Sequence, residues 1–295
     1  MSKDIHTLVS ERYGAVARGH TAGDGARRIA RAFGYSEDDL ASIPEEANMG
    51  LSCGNPTAMA GLRPGEVVVD LGCGGGLDVF LAAARVAPHG RAIGIDMTPD
   101  MLARARAAAE RAGIRNAVFH EAPIEALPLE DDTVDCVISN CVLNLVADKG
   151  RAFAEIFRVL KPGGRLAVSD IALKKPLPPE LAQSAEAYVG CISGALMIGD
   201  YERGLAQAGF ADVRLIDSGA DLNAYGEAEG QAACCAPAPE AASESAVKSA
   251  GCCGPAPQDA GADKSVHEGL SGVLRAYDIN DYAASMKIFA LKPAG

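Results

Sequence analysis

Residues Glu66 to Phe80 read EVVVDLGCGGGLDVF, and the rest of the chain is organised around this stretch. The β-branched run Val67 to Val69 leads through Asp70 and Leu71 into Gly72, Gly74, Gly75 and Gly76, after which apolar residues recur at helical spacing. The pattern predicts a strand, a tight glycine turn and a helix. Glycines let backbone approach a ligand that any Cβ would push away, and the start of a helix turns free N–H groups toward that ligand. Such a turn suits a nucleotide-like cofactor.

Two features narrow the cofactor. The dinucleotide fingerprint requires glycine five positions after the first, and Leu77 stands there. The cluster DLGCGGG instead resembles the first motif of class I S-adenosylmethionine-dependent methyltransferases, in which the acid, here Asp70, orients the turn and the methionine part. That resemblance carries Gly72, Cys73 and Gly74 into cofactor contact. Asp96 ends a second strand-like run, RAIGID, 20 residues after Gly76 (96 minus 76), where a carboxylate can accept hydrogen bonds from both ribose hydroxyls.

Strands and helices alternate outward from this stretch, as parallel α/β units require. Residues 2 to about 33 carry an apolar stripe (Ile5, Leu8, Val9, Tyr13, Val16) and predict an N-terminal helical cap, 1–50. Ser36 is placed to cap a short helix that Pro44 ends. Strands are expected at 67–71, 91–96, 117–121, 134–139, 165–171 and 212–217. Helices are expected at 77–87, 99–112, 148–160 and 199–208, and a further helix is expected to bring up Cys191. KPGG, 161–164, ends one helix and turns the chain into the fifth strand. SMKIFALK, 285–292, alternates and should close the sheet as an antiparallel strand.

The expected fold is therefore α/β, a class I methyltransferase Rossmann-like doubly wound sheet, mostly parallel with one antiparallel strand. Its core spans 51–218 with 285–292 as the last strand. Residues 219–284 form a Cys-rich C-terminal insertion, whose Ala-, Pro-, Gly- and Ser-rich middle reads as flexible and whose end, 266–282, reads as a docking helix. Ligands of such sheets gather beyond the carboxyl ends of the strands. Asp96 and Met97, Ile124 and Glu125, and Asn140 and Cys141 fall there and are candidate cofactor contacts.

Composition excludes several functions. A formal net charge of −12 disfavours a nucleic-acid partner, which needs a basic face. The N-terminus, MSKDIHTLVSERYG, has no apolar signal region, and no stretch approaches the length that spans a bilayer. The expected location is cytoplasmic, with no membrane partner and a monomeric state. The 9 cysteines then read as thiol ligands or redox groups and not as structural disulfides. Cys53 stands in a turn-rich loop. Cys73 and Cys136 read as structural. The adjacent pairs Cys234 with Cys235 and Cys252 with Cys253 have no packing explanation in a polar tract, and soft thiolates select soft ions. Adjacent cysteines chelate one tetrahedral zinc poorly, whereas trivalent metalloids take three thiolates.

Six segments carry a closer likeness: LSCGNP (51–56), VDLGCGGG (69–76), GIDMTP (94–99), ISNCVLNL (138–145), RLAVSDI (165–171) and EAYVGCISGAL (186–196). Over roughly 48–217 the chain resembles arsenite S-adenosylmethionine methyltransferases of the bacterial type. The resemblance implies that Cys53 and Cys191 bind arsenic as thiolates, with arsenite or its thiol adducts as substrate. Family members carry a further cysteine upstream of Cys53 and many a single later one; here none precedes position 53 and the later ones are two CC pairs. The third arsenic ligand is thus open among Cys234, Cys235, Cys252, Cys253 and a small thiol in solution.

The mechanism this implies is in-line attack of the arsenic lone pair on the sulfonium methyl, with no general base. A cellular dithiol of the thioredoxin or glutathione type would reopen a disulfide between Cys53 and Cys191, while Cys141 would line the cofactor. Two rival readings keep the cofactor motifs: a small-molecule C- or O-methyltransferase of the quinone-biosynthesis type, which would not need Cys53 and Cys191, and a metalloid-sequestering thiol protein without turnover.

Overall fold

A computed structural model describes residues 2–19, 23–183, 188, 191–223 and 277–295. Seven strands form one sheet: β1 (Val67–Leu71), β2 (Arg91–Asp96), β3 (Ala117–Glu121), β4 (Val134–Asn140), β5 (Leu160–Leu173), β6 (Ala211–Asp217) and β7 (Ala283–Leu291). Their order is β3-β2-β1-β4-β5-β7-β6. β1 to β5 pair in parallel, and β7 runs antiparallel between β5 and β6. The last strand thus enters the sheet one place inside its edge, as the alternation of SMKIFALK suggests.

Side-chain parity along the strands divides the core. Val69 and Leu71 of β1 face one layer with Phe153 and Ile156 of α7 (Lys149–Val159) and Tyr201 of α9 (Ile198–Gln207). Val68 faces the other, with Phe80 of α5 (Leu77–Val86) and Leu102 of α6 (Pro99–Ala112). Strands buried on both faces have no alternation of polar and apolar residues, which is why Val67–Leu71 reads as a continuous apolar run interrupted only by Asp70.

The N-terminal segment comprises α1 (Ser2–Gly19), α2 (Asp24–Ala32) and α3 (Glu37–Ala41). Ser36 caps α3 in a reciprocal capping box with Asp39. A short α4 (Pro56–Met59), absent from the sequence expectation, follows Asn55, whose side chain caps it. It is a single turn and too short to leave a periodic signal.

One expectation differs from the structure, and two fall largely outside the described residues. β5 begins at Leu160, because KPGG forms an irregular start to the strand with Gly163 at φ 79°; the register with β4 shifts between Val134 and Cys136. Of the helix expected to bring up Cys191, residues 184–187, 189 and 190 lie outside the described residues; Tyr188 is helical, α8 (Pro179–Ala182) is one turn, and Cys191 itself sits in a turn with φ 63°, its N–H bonded to the Tyr188 carbonyl. Of the docking helix expected over 266–282, residues 266–276 lie outside the described residues, and the remainder is a 3-10 turn, Ile279–Asp281, with Ile279 buried.

Candidate active site

The carboxyl ends of β1, β2 and β4 open onto one cavity. Asp70, Gly72, Cys73 and Gly74 line it from the turn after β1. Asp96 and Met97 line it from the end of β2, Ile124 and Glu125 from the segment after β3, and Asn140 and Cys141 from the end of β4. All ten residues singled out by position in the sequence therefore surround the same space.

The turn can follow only a glycine backbone. Gly72 has φ 66°, and a Cβ there would lie 2.2 Å from Cγ2 of Val142. Gly75 leaves room for the Ala47 carbonyl and the Met49 thioether, which a Cβ would meet at 3.0 and 3.1 Å. Asp96 then fixes the loop: Oδ2 accepts from the Gly74 N–H at 2.9 Å and Oδ1 from the Thr98 N–H at 2.8 Å. The Thr98 hydroxyl and the Met97 N–H also donate to this carboxylate.

The cavity is strongly acidic. Asp70 is buried, no hydrogen bond to its carboxylate is found among the described residues, and burial together with the charges of Asp78 and Asp96 raises its pKa well above the carboxylate range. Burial also lifts Asp78 to about 6, against the opposing hydrogen bonds of Asn140 and Tyr35. The Tyr35 hydroxyl donates to both Asp78 oxygens, at 2.8 and 2.9 Å. Asp96 is raised by burial in spite of its backbone donors. Three carboxyl groups thus cluster here, each made harder to ionise by burial.

Sulfur gathers on the other side of β4. Cys53, Cys141 and Cys191 share one buried cluster with Val9, Phe33 and Leu145. Cys53 and Cys141 are joined as a disulfide with Cα atoms 5.9 Å apart, and the Cys191 thiol donates to the Cys141 carbonyl at 2.8 Å. The disulfide expected between Cys53 and Cys191 is one that closes after methyl transfer, and the Cys53–Cys141 pair does not bear on it. Cys141 and the Cys53 loop both lie over the ends of β4 and β5, whereas Cys191 is turned toward a carbonyl. Cys141 lines the cavity as well, and so belongs to both features.

The Cys53 loop is held down by polar contacts that its sequence does not announce. Asn140 Oδ1 accepts from the Cys53 N–H at 3.1 Å, and Ser285 of β7 donates to the Cys53 carbonyl at 2.6 Å. Gly54 allows the approach, since a Cβ there would fall 2.4 Å from Oγ of Ser169. An oxygen of Asp170, on β5, lies within 4.8 Å of both the Cys53 and Cys141 sulfurs. Burial raises Asp170 to about 7, although Ile171 N–H and the nearby Lys149 favour its charge. The Cys191 thiol is pushed up by burial and by Asp170, so it is protonated at neutral pH; a hydrogen bond from Tyr13 and the charge of Lys149 act the other way. Cys73 and Cys136 are free, buried thiols, Cys136 within β4. Cys234, Cys235, Cys252 and Cys253 lie outside the described residues.

Sequence reasoning missed the contribution of the N-terminal segment and of two acids. Asp78 was legible in principle, as an acid in the first turn of the helix that leaves the glycines. Tyr35, His6 and Tyr13 reach the site only through tertiary packing, and nothing in their local sequence marks them. No helix long and apolar enough to cross a membrane is found among the described residues.

Comparison with known proteins matches these features. The arsenite methyltransferase of Halobacterium salinarum is 42% identical over 202 residues, covering 68% of this chain and 51% of that protein. That of Aquipseudomonas alcaligenes is 40% identical over 163 residues, covering 53% and 47%. The chain thus spans about half the length of the curated relatives it matches. The crystal structure of an arsenic(III) S-adenosylmethionine methyltransferase from Chlamydomonas reinhardtii superposes with a TM-score of 0.50 at 31% identity, covering 69% of each chain. Residues 62–209, just over half of the chain, match the family described as a methyltransferase domain, and the chain belongs to that family.

Proposed function

We propose that this protein transfers a methyl group from S-adenosylmethionine to trivalent arsenic bound by its cysteine thiols, yielding methylated arsenicals. One observation carries the reading: three cysteines distant in sequence share one buried cluster beside the cavity, the sulfurs of Cys53 and Cys141 close together and the Cys191 thiol on the Cys141 carbonyl, and Cys141 also lines the cavity. The names of the relatives support the same substrate.

The cavity fits the cofactor on its own chemistry. A cradle that a Cβ would fill at Gly72 admits the ligand close to backbone, and the carboxylates of Asp70, Asp78 and Asp96 suit a cation that also carries an amino group and a ribose. S-adenosylmethionine supplies, when bound, an electrophilic methyl on a positively charged sulfur. Asp96, at the end of β2 and facing the cavity, would hold the ribose hydroxyls, and Asp70 the positively charged methionine part.

The thiols supply the acceptor side. Arsenite condenses with protonated thiols, each S–H and As–OH giving an As–S bond and water, so three thiols release three waters and need no base. Buried, protonated Cys191 is suited to this step. The Cys53–Cys141 disulfide must first be opened, which takes two electrons and two protons from a cellular dithiol. Trigonal binding through sulfur leaves the arsenic lone pair directed away from the sulfurs, and holding it toward the cavity is the main contribution of the fold. With Cys53 and Cys191 as ligands, Cys141 is the third sulfur favoured here over Cys234, Cys235, Cys252 or Cys253. The cysteine-rich composition supports a reducing cytoplasmic setting, and we read the protein as a monomer there.

The test is to incubate the purified protein with arsenite, S-adenosylmethionine and a dithiol and to follow arsenic speciation. Methylated arsenic is expected, and Cys53→Ser should abolish it. A quinone-type methyltransferase would leave arsenite unchanged and be indifferent to Cys53→Ser.

A further inference from the structure

Asn140, the last residue of β4, reaches both halves of the site with one side chain. On the sulfur side its Oδ1 accepts from the Cys53 N–H at 3.1 Å and lies 3.6 Å from the Cys53 sulfur. Its Nδ2 donates to the Gly54 carbonyl at 2.8 Å. One carboxamide thus brackets the Cys53–Gly54 pair, and the Ser285 hydroxyl holds the Cys53 carbonyl between its two ends.

The same nitrogen faces the cofactor side. Nδ2 donates to the Tyr35 hydroxyl at 2.9 Å and approaches Oδ2 of Asp78 at 3.2 Å. Tyr35 has one hydroxyl proton, which it directs at the two Asp78 oxygens at 2.8 and 2.9 Å, so toward Asn140 it is the acceptor. Asp78 lines the cavity, and Tyr35 is buried behind it. A continuous path of hydrogen bonds therefore runs from a cavity carboxylate to the backbone of Cys53. The two segments are tied a second time, because Asn55 Nδ2 donates to the Gly34 carbonyl at 3.1 Å.

The donors on this path are fewer than the acceptors. An amide NH2 has two hydrogens, and three acceptors surround this one: the Gly54 carbonyl, the Tyr35 oxygen and Asp78 Oδ2. A carboxylate makes stronger hydrogen bonds than a carbonyl or a hydroxyl and draws on any donor in reach. A cationic group set against Asp78 from the cavity meets that demand and leaves both amide hydrogens to Gly54 and Tyr35. The Cys53–Gly54 pair is then held more firmly than without it.

We infer that Asn140 is a positioning residue through which the two ligands assist each other. A cofactor cation at Asp78 tightens the hold on Cys53 and with it the binding of arsenite, and arsenite on Cys53 tightens the cofactor by the same factor. This rests on the function proposed above. The link is modest and joins two halves that each bind their ligand alone.

The experiment uses the full chain, reduced with a water-soluble phosphine, beside Asn140→Ala and Tyr35→Phe. The arsenite dissociation constant is measured without and with saturating S-adenosylhomocysteine, which keeps the ammonium of the cofactor and has no methyl to transfer. The ratio of the two constants is the coupling. In the unaltered protein it is expected to be about five, with arsenite tightening S-adenosylhomocysteine equally. Asn140→Ala should bring the ratio to about one and should weaken arsenite binding about tenfold in the absence of cofactor. Tyr35→Phe takes away one of the three acceptors, so the two hydrogens suffice and the ratio falls toward one, although Tyr35 touches neither cavity nor sulfur. General damage to the fold lowers both affinities and leaves their ratio, so it does not imitate this result. A ratio of one or less in the unaltered protein would overturn the inference, as would an unchanged ratio in either variant; if Asn140→Ala does not fold, Tyr35→Phe decides. If the unaltered, reduced protein bound no arsenite, the proposed function itself would fail, a result separate from these.

Discussion

The glycine cradle and the sulfur cluster lie at the same edge of the sheet and are assembled in opposite ways. The cradle is contiguous: Asp70, Gly72, Gly74 and Asp78 fall within nine residues, and a neighbouring strand adds Asp96. The cluster is drawn from three loops, with Cys53 before the first strand, Cys141 after the fourth and Cys191 after the fifth. The cradle is rigid through backbone geometry that only glycine permits. The cluster is held by side chains from elsewhere, notably Asn140 and Ser285 on Cys53, and Asn144, which donates to the Cys191 carbonyl at 3.1 Å. A site for a widely used cofactor can be a local motif, whereas a site for a particular acceptor is grafted onto the loops around it.

Substitutions should separate the two halves. The largest effect is expected from Cys53→Ser or Cys191→Ser, which should lower arsenite methylation by roughly a thousandfold or more, the loss of an oriented acceptor, while the dissociation constant for S-adenosylmethionine stays within twofold. Calorimetric titration and arsenic speciation read the two quantities. Gly72→Ala should do the reverse. Its Cβ collides with Val142 and its φ of 66° is strained for alanine, so S-adenosylmethionine binding should be lost and stability should fall by about 2 kcal/mol or more. Equal damage to both ligands by either substitution would show that the halves are one cooperative unit.

Acidity offers a third separation. Asp78 is raised to about 6 from an ordinary value near 3.8, so the folded state binds its proton more tightly than the unfolded chain. The stability this gives is complete below about pH 4 and is lost as pH rises through 6, roughly 3 kcal/mol at most. Asp70 shifts in the same direction. The unliganded protein should therefore lose stability between pH 4 and 7, measured by urea titration, and Asp78→Asn should flatten the loss. Cofactor binding should show the opposite slope, tightening over the same range as the carboxylates ionise toward a cation, while arsenite binding to reduced thiols does not follow it.

The smallest effect is expected at Cys136. It is buried within β4 in a cluster with Ala167 and Ile138, separate from that of Cys53, Cys141 and Cys191. Cys136→Ala should cost about 1 kcal/mol in thermal unfolding and leave methylation unchanged. A large loss of activity would contradict the division of the thiols drawn here.

The same contrast explains what the sequence made legible. Strand parity, glycine spacing and caps are local, so Val67–Leu71, the turn after it, the helix Pro99–Ala112 and the antiparallel closing strand could be read directly. Every cofactor candidate stood at a strand end, and the fold brought these ends together. The sulfur cluster was legible only in part. Nothing near Cys141 in sequence says that its sulfur meets Cys53, 88 residues away, because the contact is made by a loop lying across β4 and β5. Tyr13 reads as one apolar position of a cap helix, and it lines the cavity only once that helix is seated on α6. Left-handed backbone at Cys191, φ 63°, has no signal in its local sequence.

Arsenic K-edge X-ray absorption tests the central claim most directly. The reduced protein with Cys234, Cys235, Cys252 and Cys253 all changed to serine would be loaded with one equivalent of arsenite. Three sulfur neighbours around arsenic are expected, falling to two sulfurs and one oxygen when Cys141→Ser is added. Fewer than three sulfurs before that addition, or three that persist after it, would contradict a site built from Cys53, Cys141 and Cys191.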